Sequence, residues 1–256
     1  MVVVSSICRR KICPYAARAQ IALRESGAKF VEYEIDLQNK PLWYQPNINA
    51  ASKGMFPDYS LVMTRHKHNL SRSVPAVAIG GPEVPPDQPS SESIKLRESL
   101  AIMEWVADQF PESALLPEDP LTRYKVRLFI ETVSSSLVPT SMEFIFRKGP
   151  VDAMFRGLET VQDLLPEDAK YAVSNQFTNA DVAAAPFLGR IELLLRNDVG
   201  LFSPGEGKKI HEFLSQDSKF KKLWSYIQAL KERKSFQETF LEVSMSHTQK
   251  RIVYEA

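Results

Sequence analysis

The stretch Cys13-Pro14-Tyr15-Ala16 places a thiol where helix chemistry can act on it. Pro14 suits the first helical position, where its missing N–H costs nothing. From Ala17 the pattern continues through Arg18, Ala19, Gln20, Ile21, Ala22, Leu23, Arg24 and Glu25, and Gly27 punctuates its end. The spacing predicts a helix over 13–26 with Cys13 at or near its N-cap. Free N–H groups and the positive helix end favour a thiolate there, and Arg9, Arg10 and Lys11 push the same way. A thiolate is a nucleophile and a redox group, so sulfur chemistry is the first function to test. A buried, inert cysteine is the bland alternative.

Two further stretches could hold a ligand beside that thiol. Val74-Pro75 enters a short apolar run, and an X-Pro bond there is a candidate cis peptide. A cis bond would turn the Val74 backbone outward, where its N–H and C=O could pair with an extended peptide. An ordinary trans proline at a strand start fits the same residues. Glu98-Ser99 stands at a strand–helix junction. Ser99 could cap the helix, whose free N–H groups would take a carboxylate, while Glu98 accepts from an ammonium. Together they could hold an amino-acid zwitterion. His66 and His68 share the loop cluster Arg65-His66-Lys67-His68, but no further His/Cys cluster accompanies them, so the expectation is no metal site.

The elements that must position these residues follow from periodicity. Residues 2–7 read as a buried strand. Residues 30–36 alternate, with Val31, Tyr33 and Ile35 on one face and Glu32, Glu34 and Asp36 on the other. Strand–helix–strand at this spacing argues for a βαβ unit with parallel strands. Residues 76–79 and 94–97 read as an antiparallel pair around a long Gly/Pro-rich loop, and 99–110 as a helix. Beyond Pro111, Pro117 and Pro120 helical patterns dominate: 121–137, ending before Pro139; 151–161; and 220–230. Phe177-Thr178-Asn179-Ala180-Asp181-Val182 has the logic of a capping box with a hydrophobic staple, and Pro186 should kink the helix it opens. The organisation is an α/β domain over 1–110, a linker over 111–120 and an all-helical domain over 121–256.

Composition bounds the function. The 256 residues carry a net charge of +1, which leaves no electrostatic footprint for nucleic acid. Two cysteines make no disulfide scaffold in a chain this long. The apolar start, Val2 to Ile7, is too short for a signal peptide, and no stretch approaches a membrane span. The expectation is a soluble, reduced, cytoplasmic protein.

In combination these pieces resemble the cytosolic glutathione transferases, and the omega class among them. Four stretches carry the resemblance: 12–16 (Ile-Cys-Pro-Tyr-Ala), 36–44 (with Asn39, Lys40, Pro41 and Trp43), 74–77 (Val-Pro-Ala-Val) and 97–102 (Arg-Glu-Ser-Leu-Ala-Ile). Cys-Pro-aromatic-Ala with the Asn-Lys-Pro-x-Trp stretch points to omega; Val-Pro and Glu-Ser match any class. The resemblance implies a thioredoxin-like βαβ-ββα domain followed by a helical domain, with glutathione as cosubstrate. It implies a homodimer acting on small hydrophobic or disulfide-containing substrates. Segments 50–73 and 81–93 look like insertions relative to a minimal transferase. Ala185 stands where the family often has a bulky aromatic.

Carried over by position, Lys40 would meet the glycine carboxylate of glutathione. Val74, followed by Pro75, would pair with its cysteinyl backbone, and Glu98 and Ser99 would hold its γ-glutamyl end. Cys13 would form a mixed disulfide with it. Ala16 fills the place of a second cysteine in a C-x-x-C pair, so a second glutathione would complete the cycle. Cys8 is a structural residue or a resolving partner. Tyr15 and Phe129 are expected to wall a hydrophobic substrate pocket that Ala185 leaves wide. The implied activity is thiol transfer, deglutathionylation or reduction of small oxidised substrates. A carrier of bulky aromatic compounds and a non-enzymatic interaction module are the rival functions.

Overall fold

The computed structural model describes residues 4–9, 13–35, 42, 75–82, 84, 85, 88 and 90–240. The first half alternates strands and helices: β1 (Val4–Arg9), α1 (Pro14–Glu25), β2 (Val31–Glu34), β3 (Ala76–Ile79), β4 (Ile94–Arg97) and α2 (Ser99–Gln109). The sheet order is β2-β1-β3-β4. β1 runs parallel to β2, β3 antiparallel to β1, and β4 antiparallel to β3. This is the βαβ-ββα arrangement that the alternation of patterns predicts.

β1 lies two residues further along than the apolar run 2–7 suggests. Its pairings decide this: Ser6 opposite Val31 through Arg9 opposite Glu34 on one side, and Cys8 opposite Ala76 on the other. A strand extends as far as its partners can bond it, whatever the polarity of its last residue. α1 stops where expected. Gly27 takes φ +69 after the last turn, and the Gly27 and Ala28 N–H groups close on the Arg24 and Leu23 carbonyls at 3.1 Å each.

The second half contains α3 (Pro120–Thr132), α4 (Val138–Arg147), α5 (Val151–Asp163), α6 (Asn179–Arg196), α7 (Glu206–Gln216), α8 (Lys221–Lys231) and α9 (Lys234–Thr239). Pro139 does not end the helical path. A π turn over Val133–Leu137 joins α3 to α4, and the Val138 N–H reaches back five residues to the Val133 carbonyl. The wider turn seats the proline at the start of α4, where its missing N–H is tolerated.

α6 is the axis of the molecule. Every residue from Asn179 to Leu195 is buried, and α1, α3, α7 and α8 pack around it. A helix apolar on all sides is stable only at such a centre. Its start is fixed by the expected capping box. The Thr178 hydroxyl accepts from the Ala180 N–H at 3.3 Å, and Asp181 Oδ2 accepts from the Thr178 N–H at 2.8 Å. Asp181 Oδ1 also accepts from the Ala172 N–H at 2.8 Å and the Tyr226 hydroxyl at 2.9 Å. Phe177 packs edge-on to Tyr171, with the Arg233 guanidinium 4.7 Å from its ring centre.

The two halves are tied along both ends of α1. At its C-terminal end Glu25 binds Arg233 and Ser235, and Arg24 pairs with Glu238 at 3.4 Å. At the end nearer Cys13, Arg18 Nε donates to the Ala183 carbonyl of α6 at 2.9 Å. Asn179 Nδ2 adds a bond to the Met103 carbonyl of α2 at 3.2 Å.

Burial pushes the Asp181 carboxyl up to about 6, against the pull of its four donors. The folded value exceeds the ordinary 3.8. The stability from its protonated form is therefore fully present below pH 3.8 and is lost as pH rises through about 6. A carbon-detected NMR titration of Asp181 should show a midpoint near 6, and a midpoint below the ordinary value would contradict this. Asp181→Ala should cost about 3 kcal/mol or more in denaturant melts, because it orphans the Ala172 and Thr178 N–H groups and the Tyr226 hydroxyl.

Candidate active site

Cys13 is the N-cap of α1. Its backbone is extended at φ −84 and ψ 115, and its carbonyl accepts the first helical bond from the Ala17 N–H at 3.0 Å. Pro14 follows at the first helical position, as its fixed φ favours. The half-buried thiol makes no capping bond to its own helix. Cys13 thus stands at the positive dipole end of α1.

Two arginines that periodicity hides define the electrostatics. Arg18 and Arg190 are 2% and 3% exposed. Burial pulls each guanidinium down to about 10, while Tyr15 and Cys13 pull both back up. Both remain cations at neutral pH. The Arg18 guanidinium lies 4.4 Å from the centre of the Phe187 ring and 5.7 Å from that of Tyr15. Tyr15 meets Phe187 edge-on at 5.2 Å. Tyr15, Arg18 and Phe187 thus interlock α1 with α6 beside the thiol.

A cavity of about 420 Å³ opens at this seam. Tyr15 and Arg18 form one side, Glu98 and Ser99 a second, and Ser134 of the π turn with Val138 of α4 a third. The structure thus brings Tyr15, Glu98 and Ser99 together on the cavity wall, with Cys13 at the N-cap of the helix that carries Tyr15. Glu98 rather than Ser99 occupies the N-cap of α2, and its side chain makes no capping bond. Ser99 is the first helical residue and is buried, and Glu98 is exposed. The Glu98 backbone sits at φ 65 and ψ 111, a strained region for a residue with a Cβ. Strain of this kind costs on the order of 1–3 kcal/mol and collects at ligand clamps.

The other expected residues are placed as follows. Pro75 is buried at the entrance to β3. Lys40 and Val74 lie outside the described residues, as do His66, His68 and the side chain of Cys8. Among the described residues no cluster of three His, Cys, Asp or Glu could hold a metal ion, and no helix is long and apolar enough to cross a membrane. Phe129 does not wall the cavity: it is 1% exposed, with its ring 6.0 Å from Tyr226 in the helical core. From this part of the helical half the cavity is lined instead by Ser134 and Val138, further along the chain.

Ala185 is also buried, at 1% exposure, and lines no part of the cavity. Its small neighbours Ala183 and Ala184 are buried too, in a helix that packs against α1, where Ala16, Ala17, Ala19 and Ala22 are buried. Small side chains here let two helices approach closely; they open no pocket. Two larger clefts, about 670 and 620 Å³, lie at the far end of α1 and along α8. Charges on their walls are paired with each other, among them Lys170 with Glu232 at 3.1 Å and Lys222 with Glu167 at 2.7 Å. Sequence reasoning missed Arg18 and Arg190, although Arg18 is a lone charge inside an apolar helical run and Arg190 interrupts another together with Glu192. Ser134 carried no signal, because only the π turn aims it at the seam.

Residues 12–109 match the family described as glutathione S-transferase, N-terminal domain. Over its length the chain is similar to glutathione transferase Omega 1C from Trametes versicolor. That similarity reaches 43% identity and a TM-score of 0.86, covering 97% of this chain and 96% of that one. It is likewise similar to Omega 2S from the same organism, solved in complex with 2,4-dihydroxybenzophenone, at 32% identity and a TM-score of 0.84, covering 98% and 99%. The maleylacetoacetate isomerase of Rattus norvegicus shares 27% identity over 133 residues, 48% of this chain, and the match spans 56% of that protein.

If the alanines of α1 and α6 serve close packing, Ala185→Trp should destabilise the fold by about 1–3 kcal/mol or more through overpacking. Thermal melts of the variant and the wild type measure this. An unchanged melting temperature would mean that open space exists beside Ala185 after all.

Proposed function

The chain belongs to the omega glutathione transferases, and we propose that it carries out glutathione-dependent thiol transfer through Cys13. The observation that carries this reading is the half-buried thiol at the N-cap of α1, at the positive end of that helix. Positive charge and helix N–H groups favour a thiolate, the form that attacks disulfides. Glutathione is the cosubstrate. Its γ-glutamyl end meets Glu98 and Ser99, with the Glu98 carboxylate on the ammonium and the first N–H groups of α2 on the carboxylate. Lys40 and the Val74 backbone, carried over by position, hold the rest of the tripeptide.

The reaction runs in two exchanges. The Cys13 thiolate attacks the glutathione sulfur of a mixed disulfide. A bond forms between that sulfur and Cys13 Sγ, the old S–S bond breaks, and the other thiolate leaves with the electron pair and takes a proton from water. A second glutathione thiolate then attacks the glutathione sulfur on Cys13. Oxidised glutathione departs and the Cys13 thiolate is restored. Ala16 supplies no resolving thiol, which is why the second step needs a free glutathione. The activity fits a reducing, cytoplasmic setting, where glutathione is kept reduced. The seam cavity has room for the non-glutathione partner, and its apolar wall of Tyr15 and Val138 suits an aromatic one.

We also propose that two copies associate through α3. Leu121, Tyr124 and Leu128 are exposed at 64%, 59% and 38% and share one face of that helix, and Ile94 on the edge strand β4 is exposed at 63%. Large apolar groups at helical spacing on a surface mark an interaction face.

Incubation with oxidised glutathione followed by mass spectrometry should show one glutathione on Cys13, and Cys13→Ser should lose thiol transfer to a small mixed disulfide. Equal rates in the two proteins would remove the assignment. Glu98→Ala should weaken glutathione binding by about 1–3 kcal/mol by calorimetry, the range for losing a charge-assisted bond. Light scattering should find wild type dimeric and a Leu121→Lys, Tyr124→Glu double variant monomeric; a monomeric wild type would exclude the α3 interface.

A further inference from the structure

We propose that Arg18 and Ser134 decide which co-substrate the seam cavity takes: an aromatic compound bearing an ionised carboxylate, whose two oxygens accept from Arg18 Nη2 and the Ser134 hydroxyl. The assignment rests on the thiol-transfer reading and names the class of its non-glutathione partner.

Both residues line the cavity of about 420 Å³, Arg18 from α1 and Ser134 from the π turn. Arg18 is 2% exposed. Its Nε donates to the Ala183 carbonyl at 2.9 Å, and Nη2 is buried with no hydrogen-bond partner among the described residues. The Ser134 Oγ is buried and equally without one. A helical hydroxyl ordinarily bonds the carbonyl four residues back. Thr132, Thr140 and Thr160 do so at 2.9, 2.7 and 2.7 Å. Ser134, inside the π turn, does not. Of the three cavities described, this is the one whose wall holds two residues with such orphaned atoms.

Each orphaned polar atom costs on the order of 1–3 kcal/mol, and a ligand that satisfies it recovers that cost. The type of each donor sets the ligand. A guanidinium only donates, so its partner is an acceptor, and a charged one binds most strongly. In low-dielectric surroundings that preference for an anion grows. Two donors, one of them cationic, match the two oxygens of a carboxylate. The rest of the lining is largely apolar, with Tyr15, Leu100, Ala101 and Val138, which suits an aromatic ring. Glu98 is the acid on the same wall. It is exposed, so water screens its charge, and the ammonium of glutathione occupies it in the proposed reaction.

Calorimetry with 2-naphthoate and its neutral methyl ester tests this, with and without saturating glutathione. Wild type should bind naphthoate about tenfold tighter than the ester, a difference of about 1.4 kcal/mol. Ser134→Ala removes an atom that holds nothing in the fold, so the variant should fold normally. It should weaken naphthoate binding about three- to tenfold and leave the ester within about twofold. Arg18→Gln keeps a donor for the Ala183 carbonyl and should abolish the preference for naphthoate. Equal wild-type affinities, no naphthoate binding, or an unchanged naphthoate affinity in Ser134→Ala overturns the proposal. Naphthoate that binds only without glutathione sits on the start of α2 instead and overturns it too. If Arg18→Gln does not fold, Ser134→Ala decides. Binding is read without turnover, so absence of thiol transfer in wild type would remove that reading and leave the naphthoate result standing.

Discussion

A guanidinium taken out of water has to be held by fixed dipoles and ring faces. Arg18 is held that way by two groups of one helix, the Ala183 carbonyl and the Phe187 ring. Much of the molecule follows from that constraint. α6 must be buried along its length for the two groups to lie beneath α1, and it is so because it carries apolar residues on every face. It must start at a fixed residue, and the Thr178–Asp181 capping box sets that start. α1 must approach closely, and alanines on both helices allow it. Cys13 then stands at the N-cap of α1, the helix that Arg18 fastens to α6.

The site itself belongs to neither half of the chain. Tyr15, Arg18, Glu98 and Ser99 come from the sheet-containing half, and Ser134, Val138 and Arg190 from the helices. Such a seam is a common place for a ligand, since each side presents a preformed wall. Two local irregularities shape it. Glu98 lines the cavity with a positive φ at the start of α2, and Ser134 lines it from the π turn at Val133–Leu137. Both are departures from regular helix or turn geometry of the kind that persists where a ligand is handled. Glu25 with Arg233 and Ser235 closes the far end of α1, so the helix is pinned at both ends.

Local signals made most of the fold legible. Pro14 and Gly27 bracket α1, the alternation from Val31 marks β2, and Thr178 with Asp181 marks the start of α6. Each is a short-range pattern that later packing has no reason to override. The exceptions depend on partners distant in sequence. β1 extends to Arg9 because β2 and β3 are there to pair with it. Pro139 reads as a stop, and the π turn converts it into a start. The site is more divided. The thiol, Glu98 and Ser99 announce themselves by type and position. Arg18 and Arg190 sit in apolar runs whose periodicity is scored without them, and Phe129 and Ala185 are apolar residues that a core and a pocket would use equally. Only the folded packing decides: Phe129 meets Tyr226 in the helical core, and Ala185 is buried within α6.

The central claim is that the start of α1, the Glu98–Ser99 junction and the helical seam form one glutathione site. A crystal structure of the protein reacted with oxidised glutathione tests it most directly. The account expects glutathione joined to Cys13 Sγ by a disulfide, with its γ-glutamyl group on Glu98 and Ser99 and Arg18 still bonded to the Ala183 carbonyl. Glutathione bound away from Cys13, or a bare Cys13 after full reaction, would contradict it.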